Sequence, residues 1–393
     1  MRAGLDLGQG NVAIAQMANP VCGDRDIVVK NLYASICGTD VAVYCHGPNT
    51  GHKITVGGEF GHEVVSQVVQ VGRDVQDIAV GDIVYPYPLL ARGDTSRAGT
   101  IGGFSEYMLI PDCVLNRQVY RVSGGIPTRV AAMIEPFTVG TRAARRAIPR
   151  PGDNAVVFGA GTIGMAAALA LKHIFGCGQV MVCDLSDFRL VKASKLELAI
   201  CHGEDANMRG RMADVFGEAH GLQGMTPDVD IFIDAAGAAS VLDTFMDMGK
   251  IGSRFVAVAV NKALRQVDLL QLTYAQKSII GSGGYMPEDV RDVMRLMDQG
   301  DVNLETLITH EFPLSQLPQA METAADTGRS LNVVINHAWH KRAQQQNRAA
   351  AYNPCGSPDG FWWIMRYRVQ AANSSSVART VCVPPTVCSV PLA

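Results

Sequence analysis

Two groups of residues in this 393-residue sequence have types and spacings that could support chemistry. The first is the string Gly-Ala-Gly-Thr-Ile-Gly at 159–164, which follows the apolar run NAVVF and opens an alanine-rich segment. The second is a set of side chains with metal-ligand chemistry, namely Cys37, His62, Glu63 and Glu135. The glycines suggest a bound dinucleotide, and the second group suggests a metal ion held by sulfur, nitrogen and oxygen atoms.

Each glycine of the string has its own function in a strand–turn–helix unit. Gly159 permits the tight turn, Gly161 lets the backbone approach a pyrophosphate, and Gly164 lets the helix pack closely on the strand. The backbone N–H groups of Thr162 and Ile163, at the start of the predicted helix, would hold the phosphates. Taken alone, the motif also fits a turn that merely requires glycines.

A second signal favours the dinucleotide site. The next apolar run, QVMVCD, ends in Asp184, twenty residues beyond Gly164. A carboxylate at this position takes the ribose hydroxyls of the adenosine and repels a 2′-phosphate, which predicts NAD in preference to NADP. Arg189 could contact the adenosine, or it could be a solvated charge on a helix face.

Zinc accepts the mixture of ligands that the second group offers. A catalytic zinc takes three protein ligands and leaves one position for water or substrate. Each side chain alone has an ordinary explanation, such as a buried cysteine or a hydrogen-bonded histidine in the core. A second carboxylate ligand would make the centre negative and weaken the acidification of a hydroxyl group bound to the metal. We therefore expect that Glu63 and Glu135 do not both ligate the ion while a substrate is bound.

The elements that must position these residues fall into successive segments. Residues 1–145 contain short β-rich runs between glycines, which predicts an irregular β domain. In residues 146–284 strands alternate with helical stretches, which predicts a parallel sheet covered by helices. Residues 285–336 return to mixed helix and strand and could pack on the first domain. Residues 337–393 hold all three tryptophans and the polar run AQQQNRAAA, which favours a poorly ordered tail over a partner-binding or membrane-touching one.

Composition narrows the function classes. The chain is 48% hydrophobic and 18% charged, which is typical of a globular enzyme. A net charge of -3 gives no indication of a nucleic-acid or membrane partner. A run of about 18 apolar residues and a signal-like N-terminus are both absent from the sequence, so we expect a cytoplasmic protein. Its ten cysteines include no Cys-x-x-Cys pair, so a four-cysteine structural zinc lobe cannot be built.

Residues 1–336 resemble the zinc-dependent medium-chain dehydrogenases, in particular the branch that contains sorbitol, butanediol and threonine dehydrogenases. The matching strings are CGTD at 37–40, GHE at 61–63, GDIV at 81–84, GGFSEY at 102–107, EPFTVG at 135–140, GAGTIG at 159–164 and ITHEFPL at 308–314. The resemblance implies an α/β fold with a GroES-like β domain and a doubly wound Rossmann domain. It also implies that Cys37 and His62 bind one catalytic zinc and that Glu63 or Glu135 completes the site.

The resemblance further implies how a proton leaves the site. Thr39 would pass the substrate hydroxyl proton outward, and Asp40 would orient a ligand. Many relatives carry a histidine five residues after the first ligand, where this chain has Ala42. Proton exit would then use water or another group, with Tyr44 and His46 as candidates. The family's structural zinc lobe falls between GDIV and GGFSEY, and because no cysteine lies there we expect no structural zinc.

The expected activity is hydride transfer between NAD and a zinc-bound secondary alcohol or polyol, or its ketone. Glu63, Glu135 and Glu59 would repel a strongly anionic substrate, which favours a small neutral one. The strands RFVAVAV and SIIGSGG could pair across a two-fold axis in a dimer or tetramer, or could lie inside the monomer's sheet. A zinc-free NADPH reductase and a catalytically silent dinucleotide-binding protein are the alternatives.

Overall fold

The computed structural model describes residues 1–48, 50, 54–91 and 100–339. Most of the expected tail and its candidate strand FWWIMRYRV lie outside these residues. So do residues 92–99, part of the segment where a structural zinc lobe would fall. Among the described residues no helix has the length and apolar character needed to cross a membrane.

The first part of the chain is built from short strands rich in β-branched and aromatic residues. Its described strands are β1 (Arg2–Asp6), β2 (Val12–Gln16), β3 (Ile27–Ser35), β4 (Gly58–Glu59), β5 (Glu63–Val71), β6 (Ile83–Pro86), β7 (Tyr107–Ile110) and β8 (Val119–Arg121). Its helices are α1 (Gly38–His46), α2 (Pro88–Ala91), α3 (Thr128–Ala131) and α4 (Ile134–Arg146).

In the second part, strands alternate with helices. The elements are β9 (Ala155–Phe158), α5 (Thr162–His173), β10 (Val180–Asp184), α6 (Asp187–Ser194), β11 (Ala199–His202), α7 (Met208–Phe216), β12 (Glu218–Gly221), β13 (Gly224–Pro227), β14 (Ile231–Asp234), α8 (Ala239–Met248), β15 (Arg254–Ala257), α9 (Leu269–Tyr274) and β16 (Ser278–Gly281). Six strands form a parallel sheet in the order β11-β10-β9-β14-β15-β16. This is the 3-2-1-4-5-6 order of a doubly wound Rossmann sheet, with a crevice expected where the order reverses beside β9. The predicted fold class is confirmed.

The last described part of the chain joins the sheet of the first part. It contains α10 (Pro287–Gln299), β17 (Ile308–Pro313), α11 (Leu317–Ala325) and β18 (Asn332–Asn336), with short 3₁₀ turns at Leu304–Leu307 and Leu314–Gln316. Strand β18 pairs antiparallel with β3 in the order β17-β18-β3-β5-β6-β8, and β7 pairs with the other half of β3. Asn332 Nδ2 also donates to Ser35 Oγ at 2.9 Å. These contacts support the proposal that 285–336 completes the domain of 1–145 and that 146–284 forms the second domain.

Helices α4 and α5 pack together at very short range, and Gly140 makes this possible. A Cβ atom built on Gly140 would lie 2.6 Å from the carbonyl oxygen of Ile163 and 2.6 Å from Ala166 Cβ. Both helices are largely buried at this contact, so a larger residue has no free direction to take. The contact joins the first domain to the helix that follows the glycine-rich turn.

We expect Gly140→Ala to lower the free energy of unfolding by about 1–3 kcal/mol, because overpacking a close contact forces the backbone to shift. Gly124→Ala is the control, since a Cβ there would meet no atom within 4 Å. Exposed changes of this kind stay within about 0.5 kcal/mol. Urea unfolding measures both variants, and equal stability of the two would contradict the close helix contact.

Candidate active site

A cavity of about 490 Å³ lies at the carboxyl ends of β9, β10 and β14. Its lining includes Gly159, Asp184 and Arg189, which the sequence predicted as dinucleotide-binding residues. Ligands of doubly wound sheets bind at this end of the strands, beside the point where the strand order reverses. The cavity therefore has the place in the fold that a dinucleotide site requires.

The glycines of the turn after β9 serve different purposes. Gly159 has a φ of +100°, which favours glycine, and a Cβ on Gly164 would lie only 1.8 Å from the carbonyl oxygen of Gly159. A Cβ on Gly161 would meet nothing nearer than Arg189 Nη1, at 3.9 Å. The space over Gly161 is therefore open. Helix α5 starts at Thr162 with no side-chain cap on its first N–H groups, as an anion site requires.

Asp184 holds the turn together. Its Oδ2 accepts a hydrogen bond from the Ala160 N–H at 2.6 Å, and its Oδ1 accepts one from the Ser186 N–H at 2.8 Å. A carboxylate oxygen can accept a second bond, so both oxygens keep a position for a ribose hydroxyl. The carboxylate thus has a structural function that sequence reasoning missed.

Arg189 reaches over the same turn. Burial lowers the pKa of its guanidinium, and the charge of Asp184 acts in the opposite direction. Its Nη2 donates to the Ser330 carbonyl oxygen at 3.2 Å, whereas its buried Nε has no hydrogen-bond partner among the described residues. A buried donor beside an open cavity fits a site that a ligand fills.

Three of the predicted metal ligands converge. Cys37, His62 and Glu63 each place one ligand atom within 4.8 Å of the other two. Cys37 lies at the start of α1, whereas His62 and Glu63 lie at the start of β5. Glu135, in the first turn of α4, lies outside this group, although its charge acts on both Cys37 and His62.

Asp40 fixes the turn that carries Cys37. The Cys37 N–H donates to Asp40 Oδ2 at 3.0 Å, and Asp40 Oδ1 lies 3.9 Å from His62 Nδ1. Cys37 Sγ accepts hydrogen bonds from Thr39 N at 3.4 Å and from Thr39 Oγ1 at 3.1 Å. The buried Asp40 thus binds the backbone of Cys37 and lies near the ring of His62. A carboxylate in this position can orient both candidate ligands.

The buried acidic groups of the site favour a bound cation. Burial raises the pKa of the Cys37 thiol well above its usual value, and carboxylates add to the shift. Burial also raises the pKa of Asp40 to about 7 and that of Glu135 to about 7. Burial alone would lower the pKa of His62, but the neighbouring carboxylates, those of Asp40, Glu135 and Glu63, raise it. A divalent ion would stabilise the thiolate and the carboxylates together, so the residues fit zinc.

Glu135 is held by Tyr285, a residue that sequence reasoning missed. Tyr285 is hydrogen-bonded to the Glu135 carboxyl, and its hydroxyl oxygen lies 3.1 Å from that of Tyr85. Tyr87 OH donates to the Tyr285 carbonyl oxygen at 3.0 Å. All of these side chains are buried. No motif marks Tyr285, and only its place shortly after the last strand of the parallel sheet could have pointed to it.

The predicted candidates for proton exit, Thr39, Tyr44 and His46, and the position Ala42 that lacks the relatives' histidine all lie on α1. The Thr39 hydroxyl is half-buried and contacts the candidate ligand Cys37. The Ala42 carbonyl oxygen accepts a bond from Thr50 Oγ1 at 2.8 Å. Tyr44 packs on the apolar core of the first domain, and His46 is exposed at the helix end. Of this group, Thr39 is the one in contact with a predicted zinc ligand.

Comparison with known proteins identifies the family. Residues 23–118 match the family model of the alcohol dehydrogenase GroES-like domain, and residues 162–299 match that of the zinc-binding dehydrogenases. The chain belongs to the zinc-dependent medium-chain alcohol dehydrogenase family. This dehydrogenase is therefore an enzyme that uses zinc and a nicotinamide cofactor, as the sequence predicted.

Individual relatives agree with this assignment. The dehydrogenase is 29% identical over 329 residues to L-galactonate-5-dehydrogenase of Escherichia coli K12, covering 79% of this chain and 92% of the relative. It is 26% identical over 340 residues to L-threonine 3-dehydrogenase of Serratia proteamaculans, covering 82% and 95%. The crystal structure of 2R,3R-butanediol dehydrogenase from Bacillus subtilis has a TM-score of 0.74 at 24% identity, covering 85% and 99%. The predicted fold and the predicted oxidoreductase class are confirmed.

Proposed function

We propose that the enzyme oxidises a neutral secondary alcohol, polyol or vicinal diol with NAD, or reduces the corresponding ketone, at one catalytic zinc centre. The convergence of Cys37, His62 and Glu63 within 4.8 Å carries this proposal. The cavity lined by Gly159 and Asp184 provides the cofactor site in the same chain. A thiolate, an imidazole and one carboxylate leave a fourth position for substrate.

Each residue has a distinct part in the proposed reaction. A zinc ion bound by Cys37, His62 and Glu63 would supply a Lewis acid that makes the alcohol hydroxyl more acidic. Thr39 takes the hydroxyl proton and passes it toward solvent, since its side chain is half-buried. Glu135, hydrogen-bonded to Tyr285, does not ligate while substrate is bound.

The charge of the site guides the choice of substrate. The buried acids Asp40, Glu63 and Glu135 would repel a substrate that carries an anionic group next to the reacting carbon. The names of the two relatives above include L-galactonate and L-threonine, which both carry a carboxylate. A test must therefore include acids as well as neutral compounds. We expect a polyol or diol to be oxidised more efficiently than the matching acid.

The test combines metal analysis with an NAD reduction assay. The panel would contain 2,3-butanediol, sorbitol, galactitol, L-galactonate and L-threonine. We expect one zinc per chain and NADH formation with a neutral member of the panel. Full activity in zinc-free protein would overturn the zinc centre, and turnover with the acids alone would overturn the substrate class. Zinc and NADH binding without any turnover would favour the catalytically silent alternative.

We expect Asp184→Asn to reduce the preference for NAD over NADP about tenfold, measured as the ratio of the two kcat/KM values. The amide no longer repels a 2′-phosphate, while the guanidinium of Arg189 remains beside it. Asp187→Asn is the control, because that side chain is exposed and lies outside the cavity lining. An unchanged ratio, or a parent enzyme that prefers NADP, would contradict the proposed function of Asp184.

We also propose that the enzyme is a homo-oligomer that pairs through β16. This strand lies at one edge of the parallel sheet, and the segment leading to it exposes apolar side chains, including Val260, Leu264 and Leu269. An exposed apolar edge of a sheet is normally covered by another part of the protein or by a partner, and here a second copy of the chain would cover it.

Light scattering should therefore give a multiple of the 42.0 kDa chain mass. Ile279→Lys, on β16, should shift the protein toward monomer, because it places a charge in the interface. Ile200→Lys is a matched control, since both isoleucines are 41% exposed and Ile200 lies on β11 at the opposite edge. A monomeric parent, or equal effects of the two substitutions, would refute this interface.

A further inference from the structure

Cys183 and Cys201 form a buried pair of thiols beside the dinucleotide cavity. They are register partners on the adjacent parallel strands β10 and β11. Both side chains belong to the same apolar cluster on one face of the sheet and are only 2% and 4% exposed. Cys183 also lines the cavity and directly precedes Asp184. The cofactor-binding residues described above do not include either thiol.

The pair has the geometry that a disulfide needs. Neighbouring strands lie about 4.8 Å apart, and the two Cα atoms of a disulfide are usually about 4.4–6.8 Å apart. Register partners in a parallel sheet therefore fall within the range that can be bridged. Register partners on adjacent strands point to the same face of a sheet, and both side chains belong to one apolar cluster, so the two sulfur atoms lie on the same side of the sheet.

The two thiols are not equivalent. The interaction with Cys183 lowers the pKa of the Cys201 thiol and outweighs burial and the charge of Asp205, which raise it. The same interaction raises the pKa of Cys183, and burial adds to the shift. A pair of this kind contains a nucleophilic sulfur and a neighbouring thiol that can react with its oxidised form. By contrast, burial raises the pKa of Cys177 to about 11 and that of Cys113 to about 12.

We propose that Cys183 and Cys201 are a redox modification site that hydrogen peroxide converts to a disulfide, and that this disulfide weakens dinucleotide binding. The second half of the proposal rests on the proposed function. The sulfur of Cys201 attacks one peroxide oxygen, the O–O bond breaks, and the departing oxygen leaves as water. The sulfur of Cys183 then attacks the resulting sulfenic acid, loses its proton and releases a second water. Two thiols lose two electrons, and one peroxide is reduced to two waters.

The disulfide would act on the cofactor through Asp184. Bridging draws the two Cβ atoms to about 3.8 Å and pulls the end of β10 toward β11. Asp184 follows Cys183 directly and accepts the Ala160 N–H of the glycine-rich turn at 2.6 Å. A shift of this strand end therefore moves both the ribose-binding carboxylate and the turn that faces the pyrophosphate. A bound dinucleotide would in turn cover Cys183 and slow the oxidation.

The experiment uses the full chain, treated with hydrogen peroxide and then alkylated. Peptide mass mapping identifies the bridged cysteines, and NADH fluorescence titration gives the dissociation constant. We expect a Cys183–Cys201 bridge and an increase in the NADH dissociation constant of about tenfold, reversed by dithiothreitol. Saturating NAD before oxidation should slow bridge formation. Turnover is not the readout, because peroxide can also oxidise Cys37.

Variants separate this site from the other cysteines. Cys201→Ala should abolish both the bridge and the peroxide effect on NADH affinity, and Cys183→Ala provides the same test if the first variant fails to fold. Cys113→Ala is the control, since that thiol is buried and belongs to another cluster. A bridge to Cys355, Cys382 or Cys388 instead, or a Cys183–Cys201 bridge without any change in NADH affinity, would overturn the inference. If the reduced chain fails to bind NADH, the proposed function fails, while mass mapping still decides whether the bridge forms.

Discussion

Replacing Cys37 with serine is expected to lower turnover by about a hundredfold or more and to lower the zinc content of the purified enzyme. Loss of groups that merely orient a ligand typically costs about 10–100-fold in metal affinity or activity, and loss of a ligand should cost at least as much. Serine cannot replace the thiolate, because its hydroxyl stays protonated near neutral pH. The NADH dissociation constant should stay within about twofold, since the cofactor cavity includes no residue of this cluster.

Cys45→Ser is the matched control for this substitution. Cys45 lies on α1, the helix that Cys37 caps, is also partly buried, and does not belong to the converging group. Metal analysis, steady-state kinetics and NADH titration should leave this control close to the parent enzyme. A zinc-poor Cys37→Ser enzyme that keeps full turnover would show that the zinc centre is not the site of catalysis.

Gly161→Ala and Gly164→Ala are both expected to weaken NADH binding, but for different reasons. A Cβ at Gly164 would lie 1.8 Å from the Gly159 carbonyl oxygen, so Gly164→Ala must displace the start of α5. We expect it to lower the free energy of unfolding by about 3 kcal/mol and to abolish measurable NADH binding. A Cβ at Gly161 has room in the protein itself. Gly161→Ala should therefore leave stability within about 0.5 kcal/mol and weaken NADH binding about tenfold or more.

The comparison of these two variants tests the cofactor site directly. Thermal or urea unfolding reports the packing cost, and fluorescence titration of NADH reports the space left for the pyrophosphate. If Gly161→Ala bound NADH as tightly as the parent, the open space over this residue would not be the pyrophosphate site. If Gly164→Ala were as stable as the parent, the close contact at the start of α5 would be wrong.

Local patterns were enough to predict the Rossmann half of the fold. Strand β9 is a fully buried apolar run, and the glycine-rich turn follows it directly, so strand, turn and helix are each encoded by adjacent residues. The family resemblance implied a doubly wound sheet, and the structure shows its strand order. The pairing of β18 with β3 has no local signal, because about 300 residues separate Ser35 from Asn332.

The candidate site was predictable only in part. The motifs identified Cys37, His62 and Glu63, which converge, but they could not tell that Glu135 lies outside this group. Glu135 is hydrogen-bonded to Tyr285, which comes from a loop with no recognisable motif. Likewise, the spacing from Gly164 identified Asp184 as the acid expected to bind the ribose. Its hydrogen bonds with the Ala160 and Ser186 N–H groups could be seen only in the folded turn.

The pairing of β18 with β3 also has a consequence for biosynthesis. The parallel sheet is complete once β16 has left the ribosome, whereas residues 33–35 of β3, which pair with β5 on one side, lack their other neighbour until β18 has been translated. Because a domain folds as a unit during synthesis, the half that begins later along the polypeptide should fold first. The edge of β3 that β18 will cover stays unpaired in the nascent chain for that interval, and a chaperone that covers this edge would raise the yield of native enzyme.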